Sequence, residues 1–149
     1  MIPVKEFFIG GRAVFTLEVP ENFAESNKTK KHYTYRIRLK EKNDRHPDTY
    51  FVDLLSGPDN QSNYMYLGIF NPKTGQFALT AKSKAGNDSW SVRFFRRAMA
   101  AVFGGNPEAI IDAGFDLHHE GRCGKCGRRL TVPESIKTGL GPICSEAQN

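Results

Sequence analysis

The stretch YTYRIRLK at residues 33–40 indicates the fold class most clearly, because apolar and polar side chains alternate strictly along it. One face carries Tyr33, Tyr35, Ile37 and Leu39. The other face carries Thr34, Arg36, Arg38 and Lys40. Successive side chains of a strand point to opposite faces of its sheet, so this period predicts a half-buried β-strand. We therefore expect Arg36, Arg38 and Lys40 to be exposed together on one strand face.

Four more segments carry strand patterns, namely residues 12–19, 49–55, 64–70 and 76–81. Residues 71–75, Asn-Pro-Lys-Thr-Gly, predict a type I turn that ends in a glycine at positive φ, which joins the last two strands into a hairpin. Residues 20–32 are polar and predict a long loop.

A helix is predicted over about residues 89–103, because the period changes there and Asp88 or Ser89 can cap the first turn. Its apolar stripe comprises Phe95, Ala98, Met99 and Val102. Three arginines, Arg93, Arg96 and Arg97, share another face and are expected to be exposed. A second, short helix should begin near Pro107 and end before Gly114.

Together these elements predict an α+β fold, with an antiparallel meander of about five strands, a long helix and a small C-terminal module. We place the body at residues 1–114 and the module at residues 115–149. Aromatic side chains on the strands could either stack bases or fill the core, and we expect most of them to be core. They are Tyr33, Tyr35, Tyr50, Phe51, Tyr64 and Tyr66.

Length and charge limit the classes of function. The chain has 149 residues and a net charge of +5, and it has no apolar run long enough to span a membrane. The charge is segregated, with basic groups at residues 28–45, 82–97 and 122–129, which is typical of proteins that bind polyanions. Solvated strand and helix faces are a plainer explanation for the same groups. The first residues lack a secretory signal pattern, so we expect a cytoplasmic location.

The three cysteines lie in the last 27 residues, and their spacing predicts a metal site. Cys123 and Cys126 form a Cys-x2-Cys knuckle with a glycine after each cysteine, and Cys144 supplies a third thiolate. A fourth ligand is needed, for which His119 is the natural candidate and His118 the alternative. Such a Cys3His set would hold one structural Zn²⁺, and loss of a ligand should unfold mainly the C-terminal module.

Other roles for these cysteines are less consistent with the sequence. A redox Cys-x2-Cys pair belongs to a βαβ context, which the pattern here does not predict. A catalytic thiol needs a base beside it, and we find no such base, no paired carboxylates and no glycine-rich phosphate loop. We therefore expect no enzymatic activity.

Residues 119–136, HEGRCGKCGRRLTVPESI, and residues 139–144, GLGPIC, resemble a small zinc-binding module of an uncharacterised family. That module recurs in proteins of tailed bacteriophages and their bacterial hosts, and the stretch 51–68 is more loosely similar to the region that precedes it there. The resemblance implies a phage or prophage origin and a zinc site. The module also looks like a reduced treble clef, which implies that Cys144 lies on the first turn of a helix.

Two classes of function follow from these observations. The first is a nucleic-acid-binding accessory protein of a phage, acting in the cytoplasm of the bacterial host. Its candidate contact residues are Arg36, Arg38, Lys40, Arg93, Arg96, Arg97, Lys125, Arg128 and Arg129. The second is an anti-defence protein, comparable to an anti-CRISPR inhibitor, that binds a host protein or ribonucleoprotein complex through the same surface. Neither class involves a membrane.

Overall fold

A computed structural model describes residues 2–41, 43, 47–57 and 63–147 of the chain. Its first half contains α1 (Lys5–Phe8), β1 (Arg12–Glu18), α2 (Glu21–Asn27), β2 (His32–Lys40), β3 (Thr49–Leu55) and β4 (Tyr64–Phe70). Its second half contains β5 (Phe77–Ala78), α3 (Trp90–Phe103), α4 (Glu108–Asp112), β6 (Asp116–His119), α5 (Pro133–Thr138) and α6 (Pro142–Ala147). The α+β prediction is confirmed.

A six-stranded antiparallel sheet, in the order β5-β4-β3-β2-β1-β6, organises these elements. The first five strands form the predicted meander, and Gly75 takes φ +77° in the predicted hairpin turn. The sequence analysis missed β6, which pairs with β1 so that Leu117 lies opposite Leu17. Four residues are too few to show a period, and β6 is recognised only through its partner.

The core lies between one face of this sheet, the inner face, and α3. Phe95 of α3 is fully buried and its ring contacts Phe15, Tyr35 and Phe77. The predicted apolar stripe of α3 is buried throughout, which confirms that helix. Of the strand aromatics, Tyr33 and Tyr35 are core residues, whereas the other four are only half-buried. No helix of the described ranges is long and apolar enough to cross a membrane.

The predicted loop at residues 20–32 is wrong, because seven of these residues form α2. Phe23 explains the difference, since its ring packs edge-on against Trp90 and close to Phe94. One aromatic anchor on a helix shorter than two full turns leaves no periodic pattern in the sequence. Tertiary packing therefore decides the conformation of this polar segment.

The C-terminal module is docked on the N-terminal segment as well as joined to the sheet. The Arg12 amide donates to the Gly124 carbonyl at 2.7 Å, and the Val4 amide donates to the Thr138 carbonyl at 3.1 Å. A Cβ atom on Gly124 would lie 2.4 Å from the Phe7 carbonyl oxygen, so only glycine permits this approach. Because β6 begins at Asp116 and pairs with β1, the sheet also extends across the predicted boundary at residue 114.

Candidate metal centre and basic surfaces

A tight turn brings Cys123 and Cys126 together. The Gly127 amide donates to the Cys123 carbonyl at 2.9 Å, and the Cys123 amide donates to the Arg128 carbonyl at 2.8 Å. Gly127 takes φ +77°, a backbone conformation that favours glycine. We call residues 121–130 the knuckle, and its geometry is that of a short hairpin closed around two thiols.

The third thiol reaches the knuckle from α6. Cys144 lies in the first turn of this helix, as the treble-clef resemblance implies, and the Sγ atoms of Cys123, Cys126 and Cys144 lie within 4.8 Å of one another. Cys123 is fully buried and packs with Leu130 and Leu140 in a small core of its own. The sequence thus correctly predicted the three thiols that meet, and such a cluster can hold a metal ion.

The electrostatics of the cluster favour a bound cation. Burial raises the pKa of Cys123, but hydrogen bonds from backbone N–H groups and the Cys126 thiol outweigh it and lower the pKa to about 7. For Cys144, burial together with the hydrogen bonds and charges of the other two thiols raises the pKa to about 11. The Cys123 sulfur therefore ionises easily, whereas a bound cation would offset the repulsion that opposes ionisation of Cys144.

The structure places His119 beside the thiol cluster but outside it. Its Nδ1 accepts a hydrogen bond from the Gly121 amide at 2.8 Å, and its Nε2 lies 2.5 Å from the Ile136 carbonyl oxygen. Its assignment as fourth ligand stays a prediction, and it requires the imidazole to exchange one of these bonds for the metal. His118 lies on the opposite face of β6, where its Nε2 is 3.4 Å from a Glu18 carboxylate oxygen.

Four cations surround the turn that holds the thiols. Arg122, Lys125, Arg128 and Arg129 are all exposed, and none of them forms an ion pair with a residue in the described ranges. No acidic residue interrupts the sequence from 121 to 130. Their positive charge is therefore available to a partner.

The strand arginines are less exposed than predicted, because Asp53 on β3 lies directly opposite Arg36 on β2. The Asp53 side chain is only 3% exposed, and Arg36 and Arg38 donate to its Oδ2 at 2.9 Å and 2.6 Å. Lys40 is exposed as predicted. Arg36 and Arg38 share the predicted face but are half-buried rather than exposed, and one buried carboxylate offsets part of their charge.

The helix arginines divide in a similar way. Arg93 and Arg97 are exposed as predicted, and their guanidinium groups lie over the rings of Trp90 and Phe115. Arg96 is half-buried, because it donates to the Asn87 side chain at 2.7 Å and to the Phe77 carbonyl at 3.3 Å. Of this set, Arg93 and Arg97 remain candidates for contact with a partner.

A small polar network lies on the sheet face that points away from α3, which we call the outer face. Thr16 shares a hydrogen bond with Thr34 at 2.7 Å and donates to the Glu120 carboxylate at 2.8 Å. The Tyr64 hydroxyl is buried but has no hydrogen-bond partner in the structure. Burial raises the pKa of Tyr64, and a buried hydroxyl without a partner destabilises the fold.

Removal of this hydroxyl should stabilise the protein. We expect Tyr64→Phe to raise the free energy of unfolding by about 1 kcal/mol, because the cost of desolvating an unpaired group disappears. The matched control is Tyr35→Phe, whose buried hydroxyl donates to the Ser91 carbonyl at 2.7 Å, and it should lower the same quantity by about 1 kcal/mol. Urea denaturation of both variants measures these changes in the free energy of unfolding. A lower free energy of unfolding in Tyr64→Phe than in the wild type would contradict the prediction.

Several residues that build these sites had no role in the sequence analysis. Phe7 supports the module from α1, Gly124 permits that approach, and Asp53 pairs with the strand arginines. Asp53 is the only acidic side chain in the largely apolar segment 49–55, and this was a sequence signal for its pairing with the arginines. The sequence also offers the loop at residues 56–63 as an alternative surface for a partner, and most of that loop lies outside the described residues.

A comparison with protein-family models matches residues 118–147 to DUF6011, a family of unknown function. Both histidines of β6 and all three cysteines fall within that match. No curated protein and no solved structure matches the chain. The C-terminal region, with its cluster of three thiols, thus fits a small domain family of unknown function.

Proposed function

We propose that this protein is a small phage-encoded accessory protein that binds nucleic acid through a module built around one structural Zn²⁺. The observation that carries the proposal is the set of four exposed cations on the knuckle, which have no ion pair within the described ranges and sit on the turn that gathers the thiols. The proposed location is the cytoplasm of the bacterial host, and the phage origin rests on the resemblance of residues 119–144. We propose no catalytic activity.

The donor set supports zinc as the metal. Three cysteine sulfurs within 4.8 Å of one another form a soft ligand set, which suits Zn²⁺ better than Mg²⁺ or Ca²⁺. With His119 as a neutral fourth ligand, the site would be closed and structural. The bound ion would supply folding energy to a module whose own core holds few apolar side chains.

The charge of the knuckle supports a polyanionic ligand. Lys and Arg side chains that neutralise phosphates dominate the affinity of proteins for nucleic acid and make it depend on salt. Arg93 and Arg97 on α3 offer a second exposed set. We assign the main phosphate contacts to Lys125, Arg128 and Arg129, because the Arg122 guanidinium already donates to the Gly127 carbonyl at 3.2 Å.

The salt dependence of binding tests this assignment. We expect Arg128→Gln/Arg129→Gln to weaken binding to a labelled oligonucleotide at low salt and to flatten the salt slope by about two units, one for each lost phosphate contact. The control is Lys73→Gln/Lys82→Gln, which removes the same charge from exposed positions near the opposite edge of the sheet. Equal effects of both variants on binding would mean that the knuckle cations make no specific phosphate contacts and are ordinary solvated surface residues.

A protein partner is the second candidate, and an apolar groove beside the thiols favours it. The groove has a volume of about 310 Å³ and is lined in part by Val132, Pro142 and Ile143, with Arg128 and Arg129 also among its lining residues. Ile143 is 75% exposed, which is unusual for a large aliphatic side chain. Such a surface fits an anti-defence protein that docks on an acidic face of a host complex.

One experiment separates the two candidates. A complex with a host protein that forms in nuclease-treated lysate and is lost in Val132→Asp favours the protein partner. The control Ile111→Asp places the same charge at an equally exposed aliphatic position on α4, 46% exposed in both cases. Loss of the complex upon nuclease treatment favours nucleic acid instead.

A further inference from the structure

We propose that the outer face of the sheet binds single-stranded nucleic acid by stacking bases on its arginine and aromatic side chains. This inference rests on the proposed function, because it takes nucleic acid as the ligand. It adds the strand form that the protein prefers and a second surface, away from the knuckle, that determines this preference.

The outer face carries an unusual combination of side chains for a sheet surface. The helices α1, α2 and α3 all place their aromatic rings on the inner side of the fold. The half-buried rings of the outer face belong to β3 and β4, and they are Phe51, Tyr64 and Tyr66. These rings lie outside the core and on the side of the sheet away from α3, so their exposed parts can contact a ligand with flat apolar surfaces.

The guanidinium groups of two arginines lie over two of these rings. The Cζ atom of Arg36 lies 4.1 Å from the ring centroid of Tyr64, and that of Arg38 lies 4.8 Å from the ring centroid of Phe51. The ion pairs with Asp53 fix the orientation of both guanidinium groups. The side chains remain 29% and 41% exposed, so each guanidinium plane is oriented in advance and still reachable from solvent.

Oriented guanidinium planes and aromatic rings favour single strands over duplexes. Unpaired bases expose their faces and stack on aromatic rings or on arginine planes, whereas bases within a duplex are already stacked on one another. Positive charge on the same face would neutralise the phosphates of the strand. The cations are Arg12, Arg36, Arg38 and Lys40, with Asp53 as their counter-charge on β3. The other acids of this face, Glu18, Asp116 and Glu120, lie around the β1–β6 pair.

The outer face is continuous with the knuckle. Arg12 lies opposite Arg38 in the β1–β2 register, and its guanidinium donates to the Cys126 carbonyl at 3.3 Å. A strand that contacts the knuckle cations can therefore extend across Arg12 onto the outer face. The two surfaces make different contributions, since the knuckle supplies exposed positive charge and the sheet supplies guanidinium planes that Asp53 holds beside aromatic rings.

Charge-conserving variants of the full, metal-loaded chain test the proposal. We expect Arg36→Lys/Arg38→Lys to weaken binding to an oligothymidylate of about 12 nucleotides by about tenfold, because lysine keeps the charge and loses the stacking plane. Binding to a duplex of the same length and the salt slope for the single strand should change little. Fluorescence anisotropy with both probes measures these quantities.

A second variant tests the stacking surface while leaving the arginines and their ion pairs with Asp53 unchanged. Phe51→Leu removes one supporting ring and keeps an apolar side chain, and it should weaken single-strand binding in the same direction. Its control is Phe103→Leu, a half-buried ring at the end of α3 whose loss should leave both affinities unchanged.

The outcomes distinguish this inference from the function on which it rests. If the wild-type protein binds neither probe, the proposed function is overturned and the inference with it. Equal wild-type affinity for both probes overturns the inference alone, and so does single-strand binding that survives both Arg36→Lys/Arg38→Lys and Phe51→Leu.

Discussion

Cys144→Ser is expected to abolish stoichiometric metal binding and to unfold the C-terminal module. Structural zinc supplies about 10–16 kcal/mol of apparent folding free energy in small zinc domains, and removal of one thiolate leaves too few ligands to hold the ion. The core of the module cannot replace this energy, because it comprises little more than Cys123, Leu130 and Leu140. Metal analysis of the purified protein and its thermal unfolding curve measure the effect.

The contacts of the module extend this effect further than the sequence analysis expected. The knuckle carbonyl of Gly124 binds the first amide of β1, and the carbonyl of Thr138 binds the Val4 amide. Hydrogen exchange at Val4 and Arg12 should therefore accelerate in Cys144→Ser. The control Ser145→Ala changes the next residue of α6 and should retain both the metal and the protection. Retention of metal and stability in Cys144→Ser would contradict the ligand assignment.

Phe7→Ala should give the second large effect, because Phe7 joins the body to the module. Its side chain is fully buried, and its ring contacts Phe8, Phe15 and His119. Loss of a buried phenyl ring lowers the free energy of unfolding by about 3–5 kcal/mol. The cavity would open directly beneath the knuckle, so we also expect faster loss of metal to a chelator.

The control for Phe7→Ala is Phe77→Ala, which truncates a buried ring at the opposite edge of the sheet. Both variants should be less stable in urea than the wild type, but only Phe7→Ala should release its metal faster at low urea concentration. Equal rates of metal release would mean that the docked segment does not support the metal centre.

The sequence predicted those elements whose signals are local. Alternation located β2 and apolar runs located β3 and β4, all to within one residue, and the apolar stripe located α3. The sequence could not indicate α2 or β6, because each depends on a distant partner, Trp90 for Phe23 and β1 for residues 116–119. Short elements whose conformation is decided by tertiary contacts lie beyond pattern analysis.

The candidate sites follow the same division. The knuckle spacing identified the three thiols correctly, since ligand geometry constrains separation along the chain. The exposure of Arg36 and Arg38 depends on which residues of β3 lie opposite them. The sequence of β2 alone does not reveal that register. The sequence thus predicts which face of a sheet a charged side chain lies on more securely than it predicts how exposed that side chain is.

The pairing of β1 with β6 has a consequence for how the chain folds. Thr16 and Glu120, which this pairing brings into hydrogen-bond contact, are separated by 104 residues, whereas β2, β3 and β4 are neighbours along the chain. The central hairpins can form as soon as they leave the ribosome, but β1 acquires its second neighbour only after residues 116–119 have been made. Until then one edge of β1 stays open to pairing with other chains.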